Sequence, residues 1–140
     1  MRVAVVIPAY QAAATIGAVL EQVALPNAQV IVVDDGSTDV TGQAGRGKGA
    51  LVVTHPRNRG KGAALRTGIA RACCGGAEAI VTLDADGQHP PAEIERLLRP
   101  IETGVADLVL GARARNGTMP VARRITNWIS AGLASHIGAQ

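Results

Sequence analysis

The chain is 140 residues long, carries a net charge of +3, and is 47% apolar and 18% charged. That is one domain's worth of sequence with apolar residues enough for one core, which excludes intrinsic disorder. Phe is absent and Tyr10 and Trp128 are the only aromatic side chains, so the core is aliphatic and a stacking platform for single-stranded nucleic acid is excluded.

The elements alternate between strand and helix. Val3 to Ile7 is a short apolar run closed by Pro8, and it reads as a first strand. Ile16, Val19, Leu20 and Val23 recur at helical spacing, and Pro26-Asn27 ends that helix. Val30 to Val33 is a second strand, closed by Asp34-Asp35-Gly36. Residues 36–49 hold Gly36, Gly42, Gly45, Gly47 and Gly49, and read as a long loop. Leu51 to Val53 is a third strand, followed by a basic loop from His55 to Lys61. Leu65, Ile69, Ala72 and Cys73 mark a second helix, stopped by Gly75-Gly76. Ala79 to Leu83 is a fourth strand, closed by Asp84-Ala85-Asp86-Gly87. Pro90-Pro91 opens a third helix carrying Ile94, Leu97, Leu98 and Ile101, since proline suits a first helical turn. Asp107 to Leu110 is expected as a fifth strand, and a last helix begins near Pro120 with Trp128 on its apolar face. Strands that are apolar throughout, separated by helices, predict an α/β fold: an open, mainly parallel sheet covered on both faces. The chain reads as a single domain over 1–140, incomplete at its C-terminus, because the last helix has little later sequence to pack on.

No run of about 18 uncharged apolar residues occurs, so no segment is expected to span a membrane. The N-terminus lacks the apolar core and cleavage site of a signal peptide. Cys73 and Cys74 are adjacent and are expected to be reduced thiols, as in the cytoplasm. The positive charge sits at one end. No acidic residue follows Asp107, whereas Arg113, Arg115, Arg123 and Arg124 do. That asymmetry points to an anionic partner for the tail: nucleic acid, a phosphorylated substrate or an anionic membrane surface.

In an open parallel sheet, ligands bind beyond the carboxyl ends of the strands. Four segments fall there: Pro8-Ala9-Tyr10, Asp34-Asp35-Gly36-Ser37, Asp84 to His89, and Gly111-Ala112-Arg113. Asp34 ends a buried strand and is expected to aim into the crevice. Asp35 is either a second polar contact there or simply part of an Asp-Gly turn. Asp84 and Asp86 lie two apart on an extended segment and point the same way. Paired carboxylates repel unless a cation sits between them, and such oxygens suit Mg2+ or Mn2+. Gln88 offers a third oxygen, and His89 a nitrogen for Mn2+; the alternative is a solvated loop. Asn58-Arg59-Gly60-Lys61-Gly62 opens a helix, where backbone N–H groups and Lys61 make an anion cradle or else an exposed basic loop. Arg123 and Arg124 fall in the first turn of the last helix, where a bound anion would offset their unfavourable place on the dipole. Gly42 to Lys48 fits a phosphate-binding loop up to the lysine, but Gly49 follows in place of Ser or Thr. The first strand leads into Pro8-Ala9-Tyr10-Gln11 rather than a glycine-rich turn. An ATPase and a nicotinamide-dependent dehydrogenase are thereby excluded.

Taken together, VVIPAY, VVDDGSTD, NRGKGAALRTG, TLDADGQHPP and LGARAR resemble the family 2 glycosyltransferases, in particular the dolichyl- or polyprenyl-phosphate mannose and glucose synthases. The blocks occur in family order from Val5 to about Trp128. The resemblance implies a GT-A fold and inverting transfer of a sugar from a GDP- or UDP-linked donor to a polyprenyl phosphate at the cytoplasmic membrane face. It implies a nucleotide-sugar pocket of Pro8, Ala9, Tyr10, Asp34, Asp35, Lys61, Asp84, Ala85 and Asp86. Asp84 and Asp86 would be the Asp-x-Asp pair engaging donor and metal, with Gln88 as a further ligand. Arg113 would face the donor diphosphate or the acceptor phosphate, and Arg123 or Arg124 the lipid phosphate. The sequence departs from the family where Gln11-Ala12 replaces the usual Asn-Glu, and where it ends before the later family blocks. The alternatives are a truncated nucleotide-sugar-binding module without activity and, third, a nucleotidyltransferase.

Overall fold

The computed structural model describes residues 1–23, 25–88 and 93–111. Met1–Val109 form a compact unit of their own. Its elements are β1 (Val3–Ala9), α1 (Ile16–Gln22), β2 (Gln29–Asp34), α2 (Thr41–Gly47), β3 (Leu51–Thr54), α3 (Lys61–Cys74), β4 (Ala79–Thr82) and α4 (Ile94–Glu102). The four strands form one parallel sheet in the order β3-β2-β1-β4. The chain therefore builds outward from β1 through β2 to β3, then returns to place β4 on the other side of β1. The strand order reverses between β1 and β4, and a ligand crevice opens at such a point in an open α/β sheet.

The apolar strands divide their side chains by the two-residue period. Val5, Ile7 and Val32 pack on one face with Ile16 and Val19 of α1. Ala4, Val6, Ile31 and Val33 pack on the other with Ala64 and Ala72 of α3. A continuous apolar strand is the pattern a sheet covered on both faces requires. Each fully buried Val or Ile contributes about 2 kcal/mol. Ile94 and Leu98 of α4 pack against Ala79 of β4.

Three details differ from expectation. The glycine-rich segment 36–49 contains a helix, α2. Its glycines permit a close fit: a Cβ on Gly42 would lie 2.7 Å from an Asp34 carboxylate oxygen, and one on Gly45 3.1 Å from Val52. Packing against β2 and β3 thus overrides poor helix propensity. The fully buried positions of α3 are Ala64, Gly68 and Ala72; Leu65 packs partly buried against the same cluster, whereas Ile69 is exposed. Small residues bring the helix axis close to the sheet. Third, residues 107–110 form no strand among the described residues, and Leu108 is exposed. Cys73 and Cys74 are free thiols, both exposed, at the end of α3.

Gly68 supplies a direct check of the α3 packing. A Cβ there would lie 2.3 Å from Val6 Cγ1 and 3.1 Å from Val33 Cγ2. Gly68→Ala gains about 1 kcal/mol of helix propensity, but overpacking costs roughly 1–3 kcal/mol. Urea unfolding should show a net loss of stability; a lowered midpoint is expected, and a raised one would refute the close contact.

Candidate functional site

Parallel register aligns Ala9 with Asp34 and Asp34 with Thr54 at the carboxyl edge. A cleft of about 500 Å³ opens above this edge, lined in part by Pro8, Ala9, Tyr10, Asp35, Lys61, Asp84, Ala85 and Asp86. Gln11, Ala12, Thr15, Asn58, Gly60 and Ala64 complete its wall. The structure thus brings together the segments after β1, β2, β3 and β4. Tyr10 is 50% exposed and lines the cleft.

The two adjacent aspartates part company. Successive strand residues face opposite sides of a sheet, and the alternation carries through the strand end. Asp34 turns toward α2: its Oδ1 accepts the Ser37 N–H (3.0 Å) and its Oδ2 lies beside Gly42. Asp34, expected to aim into the crevice, is not among the lining residues. Asp35 is, although only 3% exposed. It accepts N–H bonds from Arg59 (3.0 and 3.1 Å) and Gly60 (2.8 Å), and the Nδ1 of His55 lies 2.6 Å from its Oδ1. Burial alone would push the Asp35 carboxyl up; the bonds from His55, Arg59 and Gly60, with the His55 charge, outweigh it and hold the carboxyl below the usual range. Asp35 itself therefore takes two N–H groups of the anion cradle expected at the start of α3, those of Arg59 and Gly60. The Lys61 side chain stays on the cleft wall at that end.

Gly36 is essential to this arrangement. Its φ is +72°, and a Cβ there would lie 2.3 Å from the Arg57 carbonyl carbon. Only glycine allows the loop after β2 to press on the backbone leading into α3.

Asp84 and Asp86 lie on the loop after β4. Lys61 Nζ pairs with Asp84 Oδ1 at 2.7 Å. Asp86 is exposed, and its Oδ1 accepts the Gln88 N–H at 2.9 Å. Thr15 Oγ1 donates to the Ala85 carbonyl at 2.6 Å, so the residue before α1 tethers this loop instead of capping its own helix. Among the described residues no cluster of three or more His, Cys, Asp or Glu forms a metal cage. The pair of carboxylates nevertheless suits a cation, because the Lys61 ammonium already stands in for one at Asp84. A divalent ion held by two carboxylates commonly completes its shell with water and substrate phosphates.

The loop after β1 is fastened by Gln11. Its N–H donates to Ser37 Oγ (3.0 Å), its Nε2 to Thr38 Oγ1 (2.8 Å), and its Oε1 accepts from Thr38 and Asp39. Ala12 N–H donates to the buried Thr41 hydroxyl at 2.8 Å. The departure at Gln11-Ala12 is thus built into a clasp between two rim loops. His89, Arg113, Arg123 and Arg124 lie outside the described residues. Thr15 and His55 were not singled out from sequence. His55 directly follows β3, as Asp35 follows β2, so the strand-edge rule was the signal that could have found it.

Comparison with known proteins agrees with this geometry. Residues 4–136 match the model of the glycosyl transferase family 2. The undecaprenyl-phosphate mannosyltransferase of Micrococcus luteus is 33% identical over 139 residues, covering 91% of this chain and 56% of that protein. The glucosyl-3-phosphoglycerate synthase of Mycobacterium tuberculosis, solved with Mn2+, UDP-glucose and phosphoglyceric acid, superposes with a TM-score of 0.63 at 30% identity. That superposition covers 74% of this chain and 40% of the other. A mannosyltransferase from Pyrobaculum calidifontis in complex with GDP-Man and Mn2+ gives a TM-score of 0.55 at 35% identity, covering 61% of this chain and 27% of the other. The chain spans about half the length of the curated relatives it matches. A family match of this reach, on a sheet of this order, decides the matter: the chain belongs to glycosyl transferase family 2 and has a GT-A-like fold.

Proposed function

We propose that this chain is the donor-binding part of an inverting glycosyltransferase that moves a sugar from a nucleotide-sugar to a polyprenyl phosphate. The observation that carries the reading is a cleft at the switch point lined by Asp84, Asp86 and Lys61, with Lys61 paired to Asp84. Carboxylates and an ammonium so placed can take opposite parts of a metal-bound diphosphate. Asp84, Asp86 and Gln88 would hold Mg2+ or Mn2+, and when bound such an ion stabilises charge growing on the leaving nucleoside diphosphate. Pro8, Ala9 and Tyr10 form the wall for the nucleoside, and Lys61 supplies positive charge for the phosphates. Asp34 steadies the loop after β2 through the Ser37 N–H.

The acceptor side follows from charge. A lipid monophosphate is already an anion near neutral pH and needs no general base, only in-line positioning. Residues 108–140 carry no acidic side chain, and within that stretch Arg113, Arg123 and Arg124 are the groups proposed to hold the phosphate by bidentate contact. Among the described residues no helix is long and apolar enough to cross a membrane. A peripheral place on the cytoplasmic membrane face would bring this cleft to a lipid acceptor.

The test is titration of the full-length protein with GDP-mannose and UDP-glucose, with Mn2+ and then with EDTA, followed by product analysis with polyprenyl phosphate. Binding that weakens at least about tenfold in EDTA, with release of nucleoside diphosphate, is the expected result. Release of pyrophosphate would identify a nucleotidyltransferase. Binding without turnover by the full-length protein would leave a nucleotide-sugar-binding module.

A further inference from the structure

The donor reading leaves one buried group unused. His55 is 6% exposed, and both of its ring nitrogens are engaged. We propose that His55 is a positioning residue: through Asp35 it fixes the segment 58–61 so that Lys61 meets the donor, a role that rests on the donor-site reading above.

The geometry ties three elements together. His55 Nδ1 lies 2.6 Å from Asp35 Oδ1, and Nε2 lies 2.9 Å from Thr67 Oγ1. An ionised carboxylate only accepts, so Nδ1 carries the proton and donates. The Thr67 hydroxyl can give or take a proton and so suits either state of Nε2. Thr67 lies within α3, so the imidazole is anchored to the body of that helix. Asp35 is anchored to the sheet through its own N–H, which donates to the Ala9 carbonyl at 2.8 Å. Between these anchors, Asp35 holds the N–H groups of Arg59 and Gly60. Lys61 follows immediately, after Gly60 at φ +88°.

This matters because the Lys61 side chain is long and largely exposed. Ordering such a side chain on binding costs entropy, and a fixed root lowers that cost. Without the imidazole, Asp35 loses one of its donors. The carboxylate keeps the Arg59 and Gly60 N–H groups but loses its tie to α3 through Thr67, so Gly60 and the Lys61 root gain freedom with it. His55 itself does not line the cleft. Its effect on donor binding passes through Lys61.

The experiment compares His55→Leu, His55→Asn, Lys61→Met and the His55→Leu/Lys61→Met pair in the full-length protein. Each is titrated with GDP-mannose and UDP-glucose in Mn2+. Amide exchange at Arg59 and Gly60 is followed without donor. His55→Leu is expected to weaken donor binding about tenfold and to speed exchange at both amides. His55→Asn should recover most of both, because the Asn Nδ2 donor takes the place of the imidazole Nδ1. In the Lys61→Met background, His55→Leu should add no more than about twofold. The proposal fails if folded His55→Leu protein binds donor like wild type, if His55→Asn is as weak as His55→Leu, if the two amides stay protected, or if the two losses multiply. A wild type that binds neither nucleotide-sugar overturns the donor reading, and this proposal with it. Deviation in the variants alone overturns only the role of His55.

Discussion

Asp86→Ala in the full-length protein is expected to slow sugar transfer to polyprenyl phosphate by about a thousandfold while leaving the fold intact. The two halves of that expectation have different causes. For the fold, Asp86 is exposed and its carboxylate accepts the Gln88 N–H within a surface turn. Losing such a bond costs about 1 kcal/mol or less. For the reaction, this carboxylate is proposed to help hold the cation at which the leaving diphosphate gathers charge. A loss of about 4 kcal/mol of transition-state stabilisation corresponds to about a thousandfold in rate. Asp84→Ala is a less clean test, because it also strips Lys61 of its partner. The measurement is transfer of labelled sugar at saturating Mn2+, beside a thermal melt by circular dichroism. A variant within tenfold of wild type would show that Asp86 is not part of the reacting centre.

Much of the fold was legible because buried parallel strands announce themselves. Val3 to Ile7 and Val30 to Val33 are apolar without alternation, and they form the two central strands. Asp84-Ala85-Asp86 was legible for a similar reason: a polar cluster ending an apolar strand falls at the ligand edge. What stayed hidden depends on contacts distant in sequence. α2 reads as loop because its glycines are poor helix formers, and only the closeness of Asp34 and Val52 explains them. Of the apolar residues that mark α3, Ala72 is buried and Leu65 partly so, but Ile69 is exposed, and the short distance to Val6 demands Gly68 at the closest approach. Asp34 and Asp35 are chemically alike, and only the parity of the strand end decides which one reaches the cleft. Asp35 takes the Arg59 and Gly60 N–H groups, and N–H groups near a helix start look identical in sequence whether a phosphate or an internal carboxylate meets them.

That internal carboxylate sets the other large expected effect, this time on stability. Asp35→Ala should lower the unfolding free energy at pH 7 by roughly 3–4 kcal/mol, since it leaves the His55 Nδ1–H and two backbone N–H groups without an acceptor. Asp35→Asn should cost less, about 1–2 kcal/mol. A carboxamide oxygen can still face Arg59 and Gly60, and its Nδ2 can face His55 if the imidazole moves its proton to Nε2, where Thr67 can accept it. The acid limb distinguishes charge from shape. The folded protein holds the Asp35 carboxyl below its ordinary value. A carboxyl so depressed contributes stability that is fully present above its unfolded value, about 4, and is lost as pH falls through the lower folded value. The gap between wild type and Asp35→Asn should therefore be constant near pH 5 and shrink below about pH 4. Asp39 and Glu78 are also held low, but both variants keep them, so they cancel in the difference. Urea unfolding at pH 5, 4 and 3 measures it. A gap that stays the same down to pH 3 would mean that the ionised form of Asp35 is not what the folded state favours, and that the segment leading into Lys61 is held by shape alone.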